Sequence, residues 1–240
     1  MPTTSERCGE RCRAAVAGAI LASLVTPAGA HDVQDMRAGL ETALNRQEIT
    51  AKEAVERIAI RPVTIRDKRQ PAPFSVDSVE ELAGFRAILA TTAGLITIEF
   101  MPDIASEHVR NFLRLASLGV FDGVSFHRVV EGMLVQSGWL GSRERPLNES
   151  QQRFVTSLQP EFSATPHVRG IVSMARGDDP ASASTSFFIC TGTVSSLDGE
   201  YTVFGRVVDG MTTVDAIESL PLDGETPLRR VEILAVQIVR

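Results

Sequence analysis

The sequence has little cysteine and little histidine. Two of its three cysteines, Cys8 and Cys12, fall in a segment that we expect to be removed, so the mature chain has no disulfide framework. The four histidines show no paired spacing typical of metal ligands, and we interpret His127 as a structural, hydrogen-bonding residue. Neither a G-x-S-x-G elbow nor a phosphate-binding glycine loop is present. We therefore expect neither a metal nor a cofactor.

Long hydrophobic runs are also missing, apart from one short run near the N-terminus. Three arginines precede this run at 14–25, and Thr26-Pro27 ends it before Ala28-Gly29-Ala30. This is the layout of a secretory signal peptide, and the run is too short to span a membrane. We predict a signal peptide over 1–30 and a bacterial mature protein that begins near His31, is periplasmic or secreted, and is not attached to the membrane. An uncleaved anchor is the alternative.

The mature chain has an excess of acidic residues. Removing the three arginines and two glutamates of 1–30 changes the net charge from −6 to −7. A mildly acidic surface argues against nucleic acid or an anionic membrane as the main partner. The remaining cysteine, Cys190, ends the apolar run 187–190, so we predict a packed thiol in a buried strand and not a nucleophile.

Residues 31–85 are predicted to form a helical extension and a linker. Apolar residues recur at helical spacing over 31–60, whereas 61–74 contains three prolines and is typical of a linker. A short helix is expected over 77–85, capped by Asp77 or Ser78. We expect the extension to pack on the rest of a monomeric chain. A docking or dimerisation arm is the alternative.

From residue 86 onward the pattern is mainly β. Strands are predicted at 95–100, 125–130, 134–137, 170–174, 187–190, 203–208 and 231–239. Thr92-Ala93-Gly94 predicts a hairpin turn before the first of them, and amphipathic helices are expected at 107–118 and 214–220. Many short strands with only two helices favour a closed antiparallel barrel whose ends the helices cover.

Four blocks of sequence narrow this prediction. They are FHRVVEGMLVQSG (126–138), GIVSMAR (170–176), SFFIC (186–190) and LDGEYTVFGRVV (197–208). In this order and spacing, residues 86–240 resemble a cyclophilin. The resemblance implies an eight-stranded barrel capped by two helices, with a shallow outer groove that binds X-Pro segments. It also implies peptidyl-prolyl cis-trans isomerase activity and proline-containing polypeptides as partners.

The resemblance further implies roles for individual residues. Arg128 matches the family's catalytic arginine, and Gln136 matches the glutamine that steadies the substrate carbonyl. The matching substrate-binding positions are Met133, Leu134, Ala175, Arg176, Phe188, Leu197 and Tyr201. Outside these motifs, Arg128 and Gln136 would be interpreted as surface strand residues, and the apolar positions as ordinary core.

The chain departs from the usual family pattern at several of these positions. Met133 replaces a pocket phenylalanine, Ser186 replaces a glutamine, and Tyr201 replaces a pocket histidine, as in many bacterial members. Ser196 replaces a tryptophan of many eukaryotic members, which predicts weak cyclosporin binding. The changes at Met133 and Ser186 motivate a second hypothesis, a proline-peptide binding module or chaperone with weak or no turnover.

Overall fold

Most of the strands lie in one antiparallel sheet within residues 72–240, the part of the chain that the computed structural model describes. The strands are β1 (Arg86–Thr91), β2 (Gly94–Phe100), β3 (Val124–Phe126), β4 (Arg128–Val130), β5 (Leu134–Ser137), β6 (Ile171–Met174), β7 (Phe187–Cys190), β8 (Val203–Asp209), β9 (Leu222–Asp223), β10 (Thr226–Pro227) and β11 (Val231–Val239). Nine of them form the sheet in the order β3-β11-β1-β2-β8-β6-β7-β5-β4, while β9 and β10 form a separate hairpin. The predicted signal peptide and the helices expected at 31–60 lie outside the described residues.

The sheet closes almost completely into a barrel because its two end strands are consecutive in the chain. β3 pairs with β11 and β4 pairs with β5, and only His127 separates β3 from β4. The backbone N–H of His127 donates to the carbonyl oxygen of Gln136 at 3.0 Å, which continues the ladder across the break. The predicted mainly β, closed antiparallel barrel is confirmed. Its predicted strand 125–130 is divided at His127, where the chain changes partner, so the sheet has nine strands instead of eight.

Four α-helices accompany the barrel in the described part of the chain. They are α1 (Val79–Ala83), α2 (Pro102–Ser117), α3 (Glu149–Gln152) and α4 (Met211–Glu218). The short helix expected over 77–85 is α1, and Ser78 caps it. The Ser78 hydroxyl accepts from the N–H of Glu81 at 3.2 Å, and the Glu81 carboxylate accepts from the N–H of Ser78 at 2.7 Å. No helix within residues 72–240 has the length and hydropathy needed to cross a membrane.

The helix predicted over 107–118 is α2, which begins five residues earlier, at Pro102. Proline suits the first helical position because the N–H that it lacks would have no helical partner. Helical dihedral angles are interrupted at Ala105 (φ −151°, ψ 62°). Beyond this point the Glu161 carboxylate accepts from the N–H groups of Glu107 and His108 at 3.3 and 3.0 Å, so a side chain distant in sequence caps the regular part of the helix.

The interior of the barrel is filled mainly by phenylalanine and branched aliphatic side chains. Phe112 of α2 is 2% exposed, and its ring centroid lies 4.8 Å from that of Phe121 and 5.5 Å from those of Phe100, Phe187 and Phe204. Because α2 places this ring among residues of three strands and a loop, it covers one opening of the barrel and completes the core.

Residues just before β1 also pack on α2. The Arg110 guanidinium donates to the carbonyl of Phe74 at 2.6 Å, and Arg114 donates to that of Pro73 at 3.2 Å. The Phe74 ring meets the edge of Phe85 with centroids 5.3 Å apart. Residues 73–85, the end of the predicted extension, are therefore attached to the barrel domain.

The second predicted helix, expected over 214–220, is α4, which lies beside β2, β4 and β5. Val214 and Ile217 are fully buried and join the interior core. The helix follows Gly210, which has φ 90°. A Cβ atom at Gly210 would collide with the carbonyl oxygen of Leu95, so both the backbone conformation and the close approach require glycine.

Candidate active site

Three of the predicted site residues lie side by side across three neighbouring strands. Arg128 of β4 is opposite Gln136 of β5, and Gln136 is opposite Phe188 of β7. Directly opposed residues project from the same face of a sheet. The alternate residues Val129 and Val135 belong to the barrel interior, so this Arg128–Gln136–Phe188 row lies on the outer face.

Hydrogen bonds to two side chains hold the Arg128 guanidinium. Nη1 donates to Oε1 of Gln136 at 3.3 Å, Nε donates to Oε2 of Glu225 at 2.6 Å, and Nη2 donates to Oε1 of Glu225 at 3.3 Å. The Arg128 side chain remains 42% exposed. The hydrogen bonds from Arg128 lower the pKa of Glu225, so this carboxylate is ionised at neutral pH. The site thus presents an anchored cation that solvent or a ligand can still reach.

An apolar cluster lies at the Phe188 end of the row and is separate from the barrel interior. Its buried members are Leu134, Ile171, Phe188, Cys190 and Val203, and the partly buried side chains packed on it are Met101, Ile104, Val130, Ala175, Leu197 and Tyr201. The structure therefore brings together five predicted positions, which are Leu134, Ala175, Phe188, Leu197 and Tyr201. A surface of this kind can remove a small apolar ring from water.

Tyr201 and Arg176 form one edge of the apolar cluster. The Tyr201 ring stands edge-on to Phe188, with centroids 5.8 Å apart and an interplanar angle of 79°. The Arg176 guanidinium lies 4.7 Å above the Tyr201 ring, and its Nε donates to the carbonyl of Glu200 at 3.1 Å. These contacts place a second arginine beside the cluster, against the residues that precede β8.

Met133 lies apart from the other predicted pocket residues. It is 37% exposed at the turn between β4 and β5 and does not belong to the apolar cluster formed by the described residues. The turn is attached to α4, because the Glu218 carboxylate accepts from the N–H of Gly132 at 2.8 Å and from the hydroxyl of Thr191 at 2.6 Å. Met133 therefore occupies the rim of the site and not its floor.

A largely buried chain of three polar side chains packs against Phe188, and no sequence pattern indicated it. The His167 ring stacks on Phe188 with centroids 6.0 Å apart, its Nε2 lies 3.1 Å from Oγ of Ser173, and its Nδ1 lies 3.0 Å from Oδ1 of Asp198. The backbone and ring N–H groups of His167 lower the pKa of Asp198. Ser173 and His167 are fully buried, whereas the Asp198 side chain is 34% exposed. The serine hydroxyl and the imidazole are therefore closed to substrate, and the chain supports the ring of Phe188.

A polar cavity of about 190 Å³ adjoins the row on the side of Gln136. Its lining residues are Gln136, Ala175, Arg176, Gly177, Ser182, Ser184, Thr185 and Ser186. A larger cavity of about 590 Å³ lies in the loop 140–155 and contains none of the predicted site residues. The smaller cavity extends the apolar cluster with hydroxyl groups and one guanidinium.

His127 lies between β3 and β4, next to Arg128 but outside the row. Burial is the main cause that lowers its pKa, with repulsion from Arg128 acting in the same direction, so the imidazole is neutral at pH 7. Its ring packs against Trp139 with centroids 5.4 Å apart. Its Nδ1 atom is buried without a hydrogen-bond partner among the described residues, so the predicted hydrogen-bonding role stays a prediction.

Cys190 is fully buried, as predicted, and burial raises the pKa of its thiol to about 12. The thiol stays protonated and inert at neutral pH. Within residues 72–240, no cluster of three or more His, Cys, Asp or Glu side chains is arranged to hold a metal ion. The side chains of the row itself are an arginine, an amide and an aromatic ring beside the apolar cluster.

Known proteins share this sequence pattern and this fold. Residues 86–238 match the family model described as cyclophilin type peptidyl-prolyl cis-trans isomerase/CLD. The chain is 39% identical over 137 residues to a Brucella abortus (strain 2308) protein named "Probable peptidyl-prolyl cis-trans isomerase", covering 55% of this chain and 70% of that protein. It is 36% identical over 152 residues to human peptidyl-prolyl cis-trans isomerase-like 3, covering 62% and 93%.

A solved structure gives the same result for the fold. The cyclophilin type peptidyl-prolyl cis-trans isomerase of Cryptosporidium parvum, crystallised in the presence of the dipeptide Ala-Pro, superposes with a TM-score of 0.58 at 26% sequence identity, covering 65% of this chain and 99% of that one. The family model covers well over half of the sequence, from the start of β1 to the last strand. This chain belongs to the cyclophilin-type peptidyl-prolyl cis-trans isomerase family.

Proposed function

We propose that this chain accelerates the cis–trans rotation of X-Pro peptide bonds and that Arg128 is its catalytic residue. The observation that supports this most strongly is the Arg128–Gln136–Phe188 row, with an apolar cluster at one end and a reachable guanidinium at the other. The related Cryptosporidium parvum protein was crystallised in the presence of Ala-Pro. By extension, we propose proline-containing polypeptides as substrates and partners of this chain.

A guanidinium suits this reaction because of the electronic structure of the amide. Rotation faces a barrier of roughly 18–20 kcal/mol, since the nitrogen lone pair is shared with the carbonyl. When the bond is twisted, the lone pair is localised on the prolyl nitrogen and can accept a hydrogen bond. A guanidinium carries a permanent positive charge, and that of Arg128 can donate to this nitrogen only in the twisted state.

The size of the required effect indicates that Arg128 does not act alone. Raising a rate from ~10⁻² to ~10³ per second takes about 7 kcal/mol. One preorganised donor typically supplies about 3–4 kcal/mol. In our proposal the remainder comes from Gln136, which holds the substrate carbonyl, and from the cluster around Phe188, which holds the proline ring and removes water from the amide.

Turnover by the purified protein tests this function. A protease-coupled assay on an Ala-Pro peptide should show faster cis-to-trans conversion in proportion to protein concentration. Peptide binding without any acceleration would instead support the second function, a proline-peptide binding module or chaperone with weak turnover. The observation that favours this second function is the position of Met133 at the exposed rim, outside the apolar cluster, where the family resemblance leads us to expect a phenylalanine.

We also propose that the natural substrates are exported proteins that fold outside the cytoplasm. The support is the signal-peptide pattern of residues 1–30. Expression with the native N-terminus in a bacterium that has a periplasm should give a periplasmic protein whose mass corresponds to a start near His31. Recovery of the uncleaved chain in the cytoplasm or the membrane would contradict this proposal.

The predicted monomer and the possible docking arm need a separate experiment. Since residues 73–85 pack on α2, the informative deletion removes only 31–71. We expect the mass in solution to correspond to one chain before and after the deletion. A dimer that becomes a monomer on deletion would support the arm instead.

A further inference from the structure

The Glu225 side chain holds the edge of the Arg128 guanidinium that Gln136 does not contact. A guanidinium carries five N–H groups. Within residues 72–240, Glu225 accepts from Nε and Nη2 and Gln136 accepts from Nη1. One N–H on each terminal nitrogen is left for a substrate. The two acceptors thus fix both the position and the rotation of the group.

The β9–β10 hairpin presents Glu225 at this position. Gly224 and Glu225 form the two-residue turn between the strands, and Gly224 has φ 60°, which the tight turn requires. The Glu225 carbonyl accepts from the N–H of Val129 at 2.7 Å, so its backbone is bonded to the strand that carries Arg128. The backbone therefore places Glu225 beside the strand that carries Arg128, within reach of its guanidinium.

Anchoring of this kind has a cost and a benefit for the chemistry. A free arginine side chain populates many rotamers, and ordering it only in the transition state would carry an entropic cost that slows the reaction. The ion pair meets this cost in the resting protein. The carboxylate also reduces the positive potential, but both side chains are about half exposed, at 42% and 53%, so solvent weakens that opposing effect.

We propose that Glu225 is a positioning residue for the isomerisation, holding the Arg128 guanidinium in the orientation that meets the twisted X-Pro amide. This inference rests on the proposed activity. It adds to the reaction a residue 97 positions away from the arginine that it holds.

Two substitutions of Glu225 test its role, because they remove different parts of its contact with Arg128. Glu225→Ala removes both acceptors, whereas Glu225→Gln keeps one acceptor oxygen and removes the charge. We expect kcat to fall about tenfold in Glu225→Ala and by a smaller factor in Glu225→Gln, with KM and the unfolding midpoint nearly unchanged. The readouts are kcat and KM on an Ala-Pro peptide by exchange NMR, together with the Nε–H signal of Arg128.

Asp215→Asn is the matched control. Asp215 forms an ion pair of similar exposure with Arg169, at 2.8 Å and with 45% and 47% exposed side chains, and lies outside the row. This substitution should leave kcat unchanged. A kcat of Glu225→Ala equal to or above that of the unaltered protein overturns the inference, as does a rise in KM alone, which would make Glu225 a substrate contact.

The two proposals fail in different ways. If the unaltered protein does not accelerate rotation, the proposed isomerase function falls, and the role of Glu225 in it falls too. If the unaltered protein is active and Glu225→Ala has the same kcat, only the inference about Glu225 is overturned, whether or not the Arg128 Nε–H signal changes.

Discussion

The inner face of the strands β4, β5 and β7 and the Arg128–Gln136 end of their outer face are stabilised by different forces. On the inner face, Val129, Val135 and Ile189 are at most 1% exposed and belong to the barrel core. On the outer face, Arg128 and Gln136 are only partly buried and depend on charge and hydrogen bonds. Substitutions on the inner face should therefore change stability, and those on the outer face should change the reaction.

The largest expected effect comes from removing the ring at the centre of the core. Phe112→Ala should lower the free energy of unfolding by about 3–5 kcal/mol, because four aromatic neighbours lose their contact and a cavity remains. Urea unfolding measures the loss. kcat/KM of the protein that remains folded should be unchanged. A changed kcat/KM in the fraction of Phe112→Ala that remains folded would contradict the separation of the two faces.

Asp122 is a partly buried carboxyl group, and its ionisation should appear in the pH dependence of stability. Burial raises its pKa to about 6, against the opposing effect of Arg143. The folded protein then keeps a proton that the unfolded chain loses above pH ~4, so the contribution of Asp122 to stability should be largest at low pH and fall by roughly 2 kcal/mol as pH rises from about 4 to about 6.

Asp122→Asn should remove this contribution to the pH dependence. Urea unfolding of both proteins between pH 4 and 7 makes the comparison, since all other titrating groups are common to them. Parallel stability curves over this range would show that Asp122 titrates normally.

A smaller effect is expected at the rim of the site. Met133→Phe should lower KM about threefold to tenfold, because an aromatic ring next to Leu134 adds roughly 1 kcal/mol of apolar contact with the proline ring. Steady-state kinetics on an Ala-Pro peptide measure it. An unchanged KM would place position 133 outside the binding surface and would remove the main support for the weak-turnover alternative.

The smallest effect is expected for an outer-face ion pair away from the row. Glu99 pairs with Arg206 at 2.6 Å and with Arg86 at 3.3 Å on the neighbouring strands β8 and β1. Glu99→Gln should lower the free energy of unfolding by less than about 1 kcal/mol, because solvent screens such pairs, and should not alter kcat/KM. A loss above about 2 kcal/mol would show that ion pairs also stabilise the barrel.

Local sequence patterns predicted the barrel and most of the row. Short apolar or alternating segments gave the bounds of β5, β7 and β11 as the structure has them. The family motifs placed Arg128, Gln136 and Phe188 on strands that turned out to be neighbours. These features depend on residues that are close in sequence or belong to one motif, which is why the sequence was sufficient.

Contacts between distant segments could not be predicted in the same way. The Asp223-Gly224 pair is a turn signal, but nothing in it points to Arg128, which meets Glu225 only when the barrel closes. The same holds for His167 and Asp198, which lie 31 residues apart in sequence. They support the site only because the His167 ring stacks on Phe188 in the folded protein. Contacts between single polar side chains from distant segments leave no repeating pattern in the sequence, so they could not be predicted from it.

The measurement that tests the account most directly compares rate and stability in one variant, Arg128→Ala. If Arg128 is the catalytic donor, kcat/KM on an Ala-Pro peptide should fall about 10²–10³-fold, as for the loss of one preorganised donor. The free energy of unfolding should stay within about 0.5 kcal/mol, as for a surface substitution. An Arg128→Ala protein that folds normally and keeps kcat/KM within about threefold of the unaltered protein would contradict the account.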